Sequence, residues 1–145
     1  MKSLTQIESE LDALSFDDSS VVAREASALL EAGTDVLQHW VIAKSKSPTS
    51  RTHEGFRLLA LHRQGAQGDP SFNACRETCR ELAYRYNLAL TPLSVEEHLV
   101  NLRTMKRVAQ HLVYFIGGKM QSAELGEFCC SSRSLRASDT KLVSN

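Results

Sequence analysis

Apolar residues recur at steps of three and four along almost the whole chain, and only three prolines and seven glycines interrupt them in 145 residues. That spacing lines one face of an α-helix, and it is incompatible with the alternation of a half-buried strand. The short run Leu88–Leu90 alternates too briefly to be a strand and reads as a connection. The expected fold is therefore all-α: an irregular bundle of about six helices, forming a single domain over residues 1–126, with a disordered, flexible tail over residues 127–145.

The helix boundaries follow from capping chemistry. Ser3 suits an N-cap before the stripe Leu4, Ile7, Leu11 and Leu14. A second helix is expected from Ser19 to Glu31, with Gly33 as its stop, and a third from Thr34, carrying Val36, Leu37, Trp40 and Val41 inward. The polar stretch Ser45 to Arg51, containing Pro48, breaks the pattern as a loop. A fourth helix is expected over 52–64, burying Phe56, Leu58 and Leu59, with Gly65 and Gly68 opening the next connection. Asp69 and Pro70 start a fifth, whose seam is Phe72, Cys75, Cys79, Leu82 and Tyr86. Thr91-Pro92 separates it from the longest helix, which Ser94 and Glu97 open as a capping box and Gly117-Gly118 should end. Beyond Gly126 the composition is rich in Ser and Arg and has no period, which suits disorder.

No apolar run reaches the ~18 residues of a membrane span, and the first residues lack a signal-like apolar centre. Four cysteines in such a chain suit free thiols better than a disulfide framework, so a cytoplasmic location is expected. Neither a nucleophile elbow nor a phosphate-binding glycine loop is present, and the five histidines are not spaced as metal ligands. The chain thus reads as no enzyme, with no cofactor and no bound metal. Cys75 and Cys79 lie one helical turn apart and coincide with the apolar seam. Packing as small hydrophobes is their first reading; with Cys129 and Cys130, a soft-metal or thiol sensor is the less favoured one.

Charge is the more informative polar feature. A formal net charge of zero hides an acidic stretch at residues 1–43, with two basic groups against eight acids, and a basic remainder. Residues 44–86 hold eight basic groups against four acids. Arginine favours phosphate because its planar fork donates two hydrogen bonds at once. The candidate nucleic-acid contacts are Arg57, Arg63, Arg76, Arg80, Arg103 and Arg107, the last two beside Lys106. A solvated helix face is the plainer alternative, since Glu77 can pair with Arg80 and Glu81 with Arg85.

The segment Gly68-Asp-Pro-Ser-Phe-Asn-Ala-Cys-Arg-Glu-Thr-Cys-Arg-Glu-Leu-Ala-Tyr resembles small accessory proteins of bacterial replicative transposons, encoded beside the transposase and including regulators of its synthesis. The resemblance extends over residues 50–115 and carries no functional residues with it. It implies a regulatory, non-catalytic protein acting on RNA or DNA or on the transposase. The competing class is a helical protein–protein interaction module, able to self-associate as a homo-oligomer through exposed apolar stripes.

Overall fold

The computed structural model describes residues 1–123; the expected tail over 127–145, with Cys129 and Cys130, lies outside the described residues. Five α-helices and one 3-10 segment follow in order: α1 (Leu4–Ala13), α2 (Val22–Ala43), α3 (Arg57–Ala66), the 3-10 segment Pro70–Cys75, α4 (Arg76–Ala89) and α5 (Val95–Ser122). No strand occurs among the described residues, only an isolated bridge between His53 and Phe56. The all-α expectation holds. No helix among the described residues is long and apolar enough to cross a membrane.

α1 and α5 begin where capping chemistry places them. The Ser3 hydroxyl accepts from the Gln6 amide while Gln6 reaches back to Ser3, and Ser94 and Glu97 make the same reciprocal pair at α5. α2 begins later than expected, at Val22, because Asp17 holds the preceding turn: its carboxylate accepts from the Ser19 amide at 2.9 Å. α2 and α5, the longest helices at 22 and 28 residues, pack on each other; α4 lies against both and α3 against α2 and α4. α1 closes the bundle over α5 and α2.

Three glycine assignments are corrected. Gly33 does not end a helix; the expected second and third helices are one, α2. A Cβ there would stand 2.6 Å from Leu82 Cδ2 and 3.6 Å from Leu112 and Leu58, so the missing side chain lets α4 approach α2. Thr34, read as a cap, instead donates to the Leu30 carbonyl one turn back at 2.9 Å. Gly65 lies inside α3, where a Cβ would meet the Phe72 ring at 2.7 Å. Gly117-Gly118 does not stop α5, which continues to Ser122 with Gly117 buried in its packing face.

Two further boundaries differ. The expected fourth helix starts at Arg57, because residues 53–56 form a tight turn with Glu54 at φ +53° and Gly55 at φ +87°, closed by reciprocal His53–Phe56 amide bonds. The expected fifth opens as a 3-10 turn, and Asp69 does not cap it by its side chain; its carboxylate accepts from Ser71 and pairs with Lys119 at 3.3 Å. Leu88 and Ala89 end α4 rather than standing in a connection.

Phe72 is the hub of the core. It stacks on Trp40 of α2 at 5.6 Å between centroids and on His62 of α3 at 5.3 Å, and it touches Phe115 of α5 at 6.1 Å. Fully burying one such ring stabilises by roughly 2–3 kcal/mol, and here it locks the 3-10 turn onto three helices at once. The elements on either side of that turn, α3 and α4, carry the basic groups that matter below.

Candidate functional site

Three of the six candidate arginines come together and three do not. Arg63 on α3 and Arg76 and Arg80 on α4 line one open cleft of about 760 Å³, with His53, His62, Asn73 and Glu77 among its other walls. α3 and α4 converge here because Phe72 draws the turn between them inward. Arg76 and Arg80, one turn apart on α4, share the exposed side of a helix whose other side buries Cys79, Leu82 and Ala83.

Partners divide these arginines further. Arg63 Nη1 lies 3.0 Å from the His53 ring, which the 53–56 turn brings over α3. Arg80 Nη2 donates to Glu54 Oε1 at 3.2 Å, not to Glu77, the partner its spacing suggested. Arg76 is exposed, and its side chain makes no hydrogen bond or ion pair with any described residue, although its backbone amide bonds the Asn73 carbonyl. Arg80 also holds the Glu54 carboxyl below its ordinary value, first by that hydrogen bond and then by its charge. Glu54 and Glu77 are the acids that temper the cleft, so it is basic without being uniformly so.

The remaining candidates are occupied elsewhere. Arg57 Nε donates to the Thr49 carbonyl at 2.8 Å and its Nη2 to Gln38 at 3.3 Å, fastening the 45–56 segment to α2. Arg57 therefore faces a different groove, beside Phe56 and Tyr86. On α5, Arg103 Nη2 reaches the Phe16 carbonyl at 3.4 Å, and Arg107 bonds its own helix at Thr104, 3.2 Å away. Lys106 between them donates to the Leu14 carbonyl at 2.7 Å, at the end of α1, where unpaired carbonyls and the negative end of the helix dipole favour a cation. The expected Arg85–Glu81 pair forms at 3.0 Å, and Arg85 also holds Asn101, a buried residue of α5.

From the His62 wall of the cleft a buried polar cluster runs inward. His62 is 5% exposed, and its Nε2 donates to the Phe72 carbonyl at 3.2 Å. The same carbonyl accepts from Cys75 Sγ at 3.3 Å. Cys75 and Cys79 are free thiols, 1% and 0% exposed, as their place in the apolar seam suggested. The neighbouring Cys79 thiol, with His62 acting the same way, draws the Cys75 thiol below its ordinary value against the opposing effect of burial. Cys79 moves the opposite way, raised by its bond to Cys75 and by desolvation. No group of three or more His, Cys, Asp or Glu among the described residues is arranged to hold a metal ion.

Sequence reasoning missed His53, Glu54 and His62. The first two were assigned to a helix, although Gly55 and the lack of helical period before Phe56 mark a turn. His62 carries no local sequence signal; only the fold puts it against Phe72. No family model, no curated protein and no solved structure matches this chain.

Proposed function

We propose that this chain is a non-enzymatic, cytoplasmic regulatory protein that binds the phosphate backbone of RNA or DNA in the α3–α4 cleft. The observation that supports the reading is the convergence of Arg63, Arg76 and Arg80 on one open surface, with the Arg76 side chain left without a partner among the described residues. An exposed arginine with no carboxylate keeps its five donors for a ligand, and phosphate is the group its fork fits best. Regulation of transposition, or of transposase synthesis, is the setting that the segment 68–84 suggests for such a protein.

Phosphate contact accounts for the site better than base reading does. Among the described residues the cleft walls hold no Phe, Tyr or Trp on which an unpaired base could stack. Recognition through three guanidinium groups then sets register and orientation without fixing a sequence.

The test is an anisotropy titration of generic duplex DNA and structured RNA at several salt concentrations. Each arginine–phosphate contact on a duplex contributes about 0.9 to the slope of log affinity against log salt, so three contacts give a slope near −2.7. Absence of binding at low salt by folded protein removes this function and leaves the protein-interaction module. The groove beside Phe56 and Tyr86, rimmed by Glu31 and Asp35, is the surface that would then come first.

A further inference from the structure

Four side chains at the cleft make one continuous line of polar contacts. Arg63 Nη1 lies 3.0 Å from His53 Nδ1, and His53 Nε2 lies 3.2 Å from Glu54 Oε2. Glu54 Oε1 in turn accepts from Arg80 Nη2 at 3.2 Å. The line crosses from α3 over the 53–56 turn to α4, and each end is an arginine of the cleft. Of its four members only the imidazole belongs to a residue type that changes charge near neutral pH.

Donor chemistry fixes the state of that ring. A guanidinium only donates, so the nitrogen facing Arg63 carries a lone pair. A carboxylate only accepts, so the nitrogen facing Glu54 carries a proton. The neutral imidazole protonated at Nε2 meets both demands, and the doubly protonated ring meets only the second.

We propose that His53 is a proton gate on the cleft: on taking a second proton it releases Arg63 and becomes a further cation of the site. The gain in ligand affinity rests on the phosphate-binding function proposed above; the release of Arg63 does not. The imidazolium has no lone pair left for Arg63, and it sets a second positive charge 3.0 Å from that guanidinium. Arg63 is exposed on α3 and turns away into solvent. Glu54 keeps the imidazolium, because their contact becomes a charge-assisted hydrogen bond. That carboxylate then serves two cations where it served one, so its hold on Arg80 loosens. All three changes make the cleft more attractive to phosphate.

The other charged groups around His53 leave this balance in place. Arg76 and Glu77 from α4 line the same cleft with opposite signs, and Arg51 stands two residues earlier in the chain. His62 on α3 is 5% exposed and donates inward to the Phe72 carbonyl, away from His53. The His53 side chain is 34% exposed, so it exchanges protons with water without any opening of the fold. Arg63 favours the neutral ring, whereas Glu54 and a bound phosphate favour the protonated one. By linkage, binding takes up a proton, and affinity rises as pH falls through the imidazole range.

The experiment uses the full chain and two readouts. The first follows His53 by NMR of labelled imidazoles across pH 5–8.5, in wild type, Arg63→Met and Glu54→Gln. The titration midpoint should rise by about half a unit in Arg63→Met and fall by about half a unit in Glu54→Gln. The second is duplex DNA affinity at about 0.1 M salt, at pH 8 and pH 6, in wild type and His53→Gln. The Gln amide accepts from Arg63 as the neutral ring does and takes no proton, while the other histidines titrate equally in both chains. Wild type should tighten between the two values by up to about eightfold more than His53→Gln, one duplex contact's worth. An unmoved midpoint in Arg63→Met would overturn the gate, and so would equal pH dependence of affinity in wild type and His53→Gln. Both midpoint shifts, in a chain that binds no nucleic acid at either pH, would support the gate and remove the proposed function instead.

Discussion

Arg63, Arg76 and Arg80 around the α3–α4 cleft and Arg103, Lys106 and Arg107 on α5 look alike as clusters of positive charge. The fold gives them different work. On α5, Lys106 and Arg103 donate to backbone carbonyls around the end of α1, so the charge is spent on holding two elements together. On α3 and α4 the partners are side chains of a neighbouring turn, His53 and Glu54, and Arg76 has none among the described residues. A cation that meets orphan carbonyls is structural, while one that meets solvent across from another cation is available to an anion. Sequence charge alone does not separate the two cases.

The largest expected effect breaks that comparison directly. Replacing Arg63, Arg76 and Arg80 together by Gln removes three phosphate contacts. Affinity for duplex DNA should fall on the order of a few hundred-fold at 0.1 M salt, with the salt slope flattening by about 2.7. Replacing Arg103 and Arg107 by Gln should leave affinity within about twofold, since neither then lies on the phosphate path. Equal losses from both variants would show that the backbone tracks across α5 as well, and the distinction between the two clusters would fail.

Much of the fold was legible in the sequence because capping and periodicity are local. Ser3 and Ser94 start their helices for reasons contained in four residues, and Trp40, Phe72, Cys75 and Cys79 occupy the core positions their spacing gives them. The glycines were misread because their meaning is tertiary. Gly33 looks like a stop until Leu82 and Leu112 from helices far along the chain fill the space its side chain would take. The cleft was half legible for the same reason. Arg76 and Arg80 share a face by helical period, but Arg63 joins them only because Phe72 folds the 3-10 turn between α3 and α4. Nothing near Arg57 or Arg103 in sequence announces the carbonyls of Thr49 and Phe16 that take them up.

The α5 cluster should therefore register in stability rather than in binding. Lys106→Met keeps an unbranched apolar stem and removes the donors to Leu14 and Asp12. Loss of a charged donor at a helix end, discounted for partial exposure, costs about 1 kcal/mol. That corresponds to a drop of about 3 °C in thermal midpoint for a chain of this size. Nucleic-acid affinity measured below the transition should stay unchanged. A fall in affinity without a fall in midpoint would transfer Lys106 to the binding surface.

The smallest expected effect concerns the acid that holds Arg80. Glu54 Oε1 lies 3.2 Å from Arg80 Nη2, and its Oε2 lies 3.2 Å from His53. Glu54→Gln removes that charge and little else: the position has φ +53°, and Gln meets the same backbone strain there as Glu. The pair is solvent-exposed, so its loss should not move the thermal midpoint measurably. Affinity for duplex DNA should instead rise about two- to threefold at low salt, because Arg80 no longer exchanges a carboxylate for a phosphate. The gain should fade as salt approaches 1 M, where the screening length falls to about 3 Å. Unchanged affinity would take Arg80 out of the ligand's path and shrink the site to Arg63 and Arg76. Reduced affinity would mean that Glu54 orients the Arg80 guanidinium for its ligand, making the acid a part of the site and no longer its competitor.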